Sequence, residues 1–325
     1  MAMRARVTAV VLAAGVLAMV GCGGEEEPRG GGVSIVDPGP GPTLSPSAVV
    51  ESPSAPLSGN DSTDAVVARR AVAVPVRVGT GSPAPAGLAE ADILYQEYAE
   101  SGSLRFIAVY QSHDVPRIGP VTEIRPADVK TLTALGTVVG YGGGPTGFVT
   151  QLTNSKLPAV TQPNNGYTST ATLYKAAPAG PAPPSIFQYA EPGEPLGDGV
   201  KPVTRLSVTA PGRSAQVWQY DEASRTWRGQ LGGVTVAVSS VIVLTMEYKT
   251  LEVRNPSPHN VPSASVLGEG TAVAVSGSQG VTGKWVKPGL KMVSHVVDGL
   301  GFQMRLRPGT TWVVYAPLGS TVSTT

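Results

Sequence analysis

Arg117, Arg125 and the loop Tyr141-Gly142-Gly143-Gly144 have the residue types of an anion-binding site. Arg125 stands just before an expected helix start, where the positive end of the helix dipole disfavours a cation. A bound anion between the two arginines would relieve that conflict. The glycine run follows an expected strand and precedes a second expected helix, an arrangement that lets backbone N–H groups approach a ligand closely. It lacks the Lys-Ser/Thr that completes a P-loop. The competing arrangement needs no ligand: Glu97, Glu100 or Glu123 neutralises the arginines in an internal ion-pair network, a common structural device. Of the two, the residues favour the internal network.

Other chemistry is thinner. Glu97 and Glu100 invite comparison with a glycosidase pair, but residues three apart on one strand point to opposite faces, so at most one can serve a given site. His113-Asp114 falls in an expected loop and would need a nucleophile; no GxSxG elbow is present. His113, His259 and His295 lie far apart and form no HExxH pattern. Cys22 is the only cysteine, which excludes an internal disulfide and every multi-cysteine metal site. No metal or cofactor is expected. Trp218, Trp227, Trp285 and Trp312 could form a carbohydrate platform, yet such residues more often fill a core, and that is the expectation.

Two expected folded regions must position these residues. In the first, Val72 to Val78 alternates as a strand does, Ile93 to Glu100 and Arg105 to Gln111 read as two more, and Ser101-Gly102-Ser103 joins them as a hairpin. Pro126 suits a first helical position, Val129, Leu132 and Leu135 keep helical spacing, and Gly136 suits the stop. A strand at Thr137 to Gly140 leads into the glycine loop and a helix through Gln151. The Gly- and Pro-rich stretch Glu191 to Pro202 reads as a boundary. Beyond it, short strands punctuated by turns such as Asp298-Gly299 and Pro308-Gly309 run to about Pro317. The expected class is α+β: a mixed α/β domain over residues 65–195, then a mostly antiparallel β domain, sandwich or barrel-like, over residues 203–318.

The N-terminus reads as an address. Arg4 and Arg6 precede an apolar run from Val7 to Val20, the length of a signal-peptide core and short of the about 20 residues a membrane span needs. The run ends in Met19-Val20-Gly21-Cys22, which resembles a lipobox whose cysteine is acylated before cleavage, so residues 1–22 read as a lipoprotein signal peptide. Residues 23–64 contain Glu25-Glu26-Glu27, Gly30-Gly31-Gly32 and many Pro and Ser without apolar periodicity, and read as a disordered tether reaching roughly 35 Å. The chain would thus be held to the membrane by lipid, on its outer face. Lys plus Arg number 24 against 23 Asp plus Glu, so no basic field points to nucleic acid.

Gly87-Leu88-Ala89-Glu90-Ala91-Asp92-Ile93-Leu94-Tyr95-Gln96-Glu97 is similar to a signature of bacterial lipoproteins typified by YerB, a family named for its unknown function. So are Arg105-Phe106-Ile107-Ala108-Val109-Tyr110-Gln111-Ser112, Arg117-Ile118-Gly119-Pro120-Val121 and Arg125-Pro126. Gly283-Lys284-Trp285 and Leu306-Arg307-Pro308-Gly309-Thr310-Thr311-Trp312 resemble its second domain. Where that family often has Arg-Ser-Ala after Gly-Pro-Val, this chain has Thr122-Glu123-Ile124. The resemblance implies export and a two-domain layout and implies no activity. The leading expectation is a non-catalytic envelope lipoprotein that binds a cell-wall polymer or an envelope protein. The alternatives are a wall-modifying hydrolase or transferase using Glu97, Glu100 and the arginines, and a structural wall spacer.

Overall fold

Strands β1 (Val72–Val78), β2 (Ile93–Tyr98) and β3 (Leu104–Tyr110) are apolar at most positions because both of their faces are covered. β3 pairs antiparallel with both neighbours, in the register Val72↔Tyr110 and Ile93↔Val109. The chain then crosses over through α2 (Pro126–Leu132) to β4 (Val138–Tyr141), parallel to β1, and through α3 (Thr146–Ser155) to β5 (Ala159–Thr161), parallel to β4. These helices supply the connections that parallel pairing requires. A short α1 (Asp64–Ala68) precedes β1, and α4 (Thr170–Ala176) follows β5. This computed structural model describes residues 53–325 apart from Thr80, Pro178, Pro192 and 254–258. Cys22, the expected signal peptide and the expected tether up to residue 52 lie outside the described residues.

The second half of the chain does not build a sheet of its own alone. Strand Thr311–Pro317 inserts between β2 and strand Ser240–Met246, parallel to both. Gly268–Ser276, Gln279–Lys287 and His295–Val297 continue outward antiparallel, and the short strand Lys201–Pro202 also pairs with Gln279–Lys287, giving an eleven-stranded sheet shared by both halves. A second, five-stranded antiparallel sheet holds Arg205–Thr209, Gln216–Asp221, Thr226–Leu231, Val234–Val238 and the terminal strand Thr321–Thr324. The class is α+β with a β-rich second half, and the described residues from Pro53 onward belong to one compact unit in which strands from both halves share the main sheet.

Two apolar layers hold this together. On one face of the main sheet, Trp218 packs against Trp312 at 5.2 Å and Phe106 against Trp312 at 5.7 Å, edge to face in both cases. On the other, Ala127, Leu132, Phe148 and Leu152 from α2 and α3 meet Ile107, Val109 and Tyr315. All four tryptophans are buried, as core residues rather than as a platform. Three of their indole N–H groups find partners: Trp312 donates to Gln96 Oε1, Trp227 to Gly277 O and Trp285 to Thr245 O.

The expected tether ends earlier than residue 64. Residues 53–62 fold back on themselves through a Ser54–Asp61 bridge and bury Ala55 and Leu57. Ser58 O accepts the Gly309 N–H at 2.7 Å, and Gly59, at φ +67°, lies so close to the Tyr189 ring that a Cβ would come within 2.3 Å of it. One leucine in a Ser- and Pro-rich stretch has no periodicity to betray it; tertiary burial orders the segment. Leu57 is 0% exposed, so Leu57→Ala should cost about 2–5 kcal/mol in a denaturant melt. A loss below about 0.5 kcal/mol would mean that the arm contributes nothing to the fold.

Candidate functional site

Antiparallel pairing places Glu97 on β2 opposite Arg105 on β3. Both are buried, and α2 packs over them with Asp128. Arg105 grips the Asp128 carboxylate through both terminal nitrogens, with Nη1 to Oδ1 at 2.5 Å, a bidentate pairing. Asp128 Oδ2 also accepts the Arg125 N–H at 2.8 Å, capping the start of α2. The Arg125 side chain, 2% exposed, donates to Glu100 at 2.8 and 3.0 Å and to Glu123 at 3.0 Å. Arg77 reaches Glu100 at 3.9 Å. The awkward cation at the helix start is thus answered internally, by Glu123 and Glu100, while Asp128 caps the backbone and pairs with Arg105.

Glu97 and Glu100 go to different partners, as expected, but because Glu100 is no longer on the strand rather than because the strand alternates its faces. β2 ends at Tyr98, and the chain turns through Glu100–Gly102 with Ser101 at φ 52°. Glu100 therefore leaves the strand and swings onto Arg125, while Glu97 stays beneath α2. Glu97 Oε1 accepts the Ala264 N–H at 2.8 Å, and its other oxygen lies 3.6 Å from Arg105. Burial pushes its carboxyl up to about 7, only partly offset by Arg105, whose guanidinium is taken by Asp128. For Glu100, burial acts upward too, but the attraction and hydrogen bonds of Arg125 outweigh it and hold the carboxyl below its ordinary value.

Arg117 is brought to neither arginine nor glutamate of this network. It is exposed, and its guanidinium lies 3.9 Å from the centre of the Tyr167 ring. The glycine loop does adjoin the approach to Arg125, but it binds backbone: Gly142 donates to Thr122 O at 2.9 Å and Gly143 O accepts from Ile124 at 3.0 Å. Tyr141 and Gly144 flank this grip, Gly143 and Gly144 having φ of +89° and +141°. His113 is exposed, and its neighbour Asp114 pairs with Arg69 at 2.8 Å. Among the described residues no His, Cys, Asp and Glu group is set to hold a metal ion.

Open space lies elsewhere. A cleft of about 740 Å³ runs between the N-terminal arm, residues 189–193, the turn 220–226, the turn 277–279 and Arg307-Pro308. Tyr220, Arg225, Arg307, Asp61, Glu191 and Glu222 line it. Arg307 is half-buried and held by two backbone carbonyls, Glu191 O at 2.7 Å and Glu194 O at 2.6 Å. Arg225 sits in the left-handed region, φ 54°, at the end of a turn whose N–H groups of Ala223 and Ser224 are taken by Asp221 Oδ1. Neither arginine has a carboxylate in ion-pair range among the described residues. The Tyr220 ring rests 5.4 Å from Trp227, and its hydroxyl feels both arginines: burial and Glu222 push its pKa up, while Arg225 and Arg307 pull it part of the way back. No spacing rule in the sequence signals that residues 61, 191, 225 and 307 will share a wall.

Two measurements separate the closed network from an open anion site. Arg125→Gln should cost about 2–4 kcal/mol in denaturant melts, because it leaves Glu100 and Glu123 facing each other beside a buried gap. Arg117→Gln, at an exposed ring contact, should cost at most about 1 kcal/mol. Equal small losses would mean that Arg125 is not internally paired. The raised carboxyl of Glu97 predicts a pH dependence. The folded chain keeps a proton there that the unfolded chain has released, so this contribution is full at low pH and is lost as pH rises through about 7. Glu97→Gln should flatten that fall, which is on the order of 3 kcal/mol between about pH 5 and pH 8. An unchanged slope in the variant would assign the effect to another group.

Residues 57–191 match the family model described as the protein of unknown function (DUF3048) N-terminal domain, and residues 206–313 match its C-terminal domain. The crystal structure of YerB from Bacillus subtilis has the same fold, with a TM-score of 0.68 at 19% identity, covering 83% of this chain and 99% of that one. At that identity the likeness speaks for the fold alone. No curated protein matches the chain. With both domain models matched in order and the fold shared, the chain belongs to the YerB-like family of two-domain proteins of unknown function.

Proposed function

We propose that this chain is an extracytoplasmic lipoprotein, held to the cell membrane by lipid on Cys22, that binds a component of the cell envelope in the cleft between its two family domains. The observation that carries the reading is the contrast between two charged sites. The charged residues under α2 are ion-paired with one another and shielded from solvent, whereas the open cleft leaves Arg225 and Arg307 without a carboxylate in ion-pair range among the described residues. Its volume of about 740 Å³ falls in the range of ligand sites, and residues from both halves of the chain line it. The address-like N-terminus supports export, and a net charge of +1 argues against a nucleic-acid partner.

The reading as a wall-modifying hydrolase or transferase loses support from the same geometry. Glu97 has the raised pKa a general acid needs, but it is 4% exposed and its partners are Arg105 and the Ala264 N–H. Glu100 is committed to Arg125. A pair that closed is poorly placed to meet a substrate.

One experiment tests anchor and cleft together. Cys22→Ser should move the protein from the membrane to the soluble fraction, and retention in the membrane would overturn the anchor. The chain used as bait on solubilised envelope should retain a ligand that Tyr220→Ala fails to hold. Capture unaffected by that change would move binding away from the cleft.

A further inference from the structure

We infer that the cleft takes a saccharide carrying an acidic group, a carboxylate or a phosphate ester; this rests on the binding reading above. The lining is poor in aliphatic side chains. Hydroxyls of Ser54, Ser239 and Ser278 alternate with charged groups, and of aliphatic lining only Ala190 and Pro308 appear. Such a wall offers hydrogen bonds in both directions and little to an apolar ligand, which matches a polyol.

The acidic group follows from the arginines. Arg307 spends part of its planar fork on two carbonyls, which orient the guanidinium; the Glu194 carboxylate feels its charge from beyond ion-pair range, so no carboxylate blocks the fork. Arg225 is held outward by a turn that fixes its backbone, with no ionic partner of its own among the described residues. Both lie within electrostatic reach of the Tyr220 hydroxyl, so the three converge on one part of the cleft. Guanidinium forks match carboxylate and phosphate oxygens in plane, and such charge-assisted pairs are about twice as strong as neutral ones. The phenol adds a donor and a flat ring beside them, resting on Trp227.

The carboxylates shape the rest of the preference. Asp61, Glu191 and Glu222 line the same cleft, accept hydrogen bonds from hydroxyls and repel a densely charged polyanion. The ligand is therefore a hydroxylated chain with isolated acidic groups, not a strand with one charge on every unit in contact.

The test is equilibrium binding of the full chain in detergent to three purified probes: a glycan oligomer containing muramic acid, a glycerol phosphate oligomer, and a neutral chitin oligomer. At least one acidic probe should bind about tenfold more tightly than the neutral one, with affinity falling as salt rises. The stronger acidic probe identifies the carboxylate or the phosphate as the recognised group. Arg225→Asn suits the left-handed turn position, so it should leave the melting temperature unchanged while lowering acidic-probe affinity about tenfold. Equal binding of all three probes, unmoved by Arg225→Asn but lost in Tyr220→Ala, overturns the acidic class and leaves the cleft standing. Binding that neither variant changes overturns both. No binding of any probe overturns the saccharide, and the envelope capture described above then decides the cleft.

Discussion

Strand Thr311–Pro317 is the constraint on which the architecture rests. It pairs in parallel with β2 on one side and Ser240–Met246 on the other, so neither half of the chain has a complete sheet without it. Its side chains reach into both apolar layers: Trp312 meets Trp218 and Phe106, while Tyr315 joins Ile107 and the helices. Two family domains that are consecutive in sequence are thereby made inseparable in packing. The five-stranded sheet depends on the same segment, because Thr321–Thr324 follows it directly and pairs with Arg205–Thr209.

The charged groups divide along this architecture. Where α2 covers β2 and β3, water is excluded, and every carboxylate near Arg105 and Arg125 is drawn into pairing. An unpaired charge there would cost several kcal/mol. At the junction of the arm, the linker and the second sheet the surfaces meet less closely, and side chains keep their charges in contact with solvent. The same residue type thus plays opposite parts: Arg125 closes a structure, and Arg225 stands open.

Local pattern made much of the fold legible. The apolar runs of β1 to β3, Pro126 at the head of α2 and the four core tryptophans could be read directly, because burial on both faces and helix-start chemistry leave marks in neighbouring residues. The internal answer to Arg125 was legible too, since a cation at a helix start demands a partner and Glu100 and Glu123 were near in sequence. Glu123 is one of the two carboxylates that hold Arg125. What stayed hidden was nonlocal. Parallel pairing of Thr311–Pro317 across more than two hundred residues from β2 has no local signature. Leu57 gave no periodicity, and Arg307 was visible only as part of a turn motif. Arg117 was misjudged because Tyr167, its partner, lies fifty residues downstream and cation–ring contacts follow no spacing.

The N-terminal arm has a mechanical consequence. The described chain enters at Pro53, and Ser54 already lines the cleft, with Gly59 braced against Tyr189. Tension applied through the N-terminus would load the Ser54–Asp61 bridge and the Ser58–Gly309 hydrogen bond before any strand of the main sheet. These few bonds would peel one at a time rather than shear together, at forces well below those that would separate the sheet. The first part of the molecule to give way would be a wall of the cleft, so its geometry would respond to pull on the chain while the rest of the fold stayed intact.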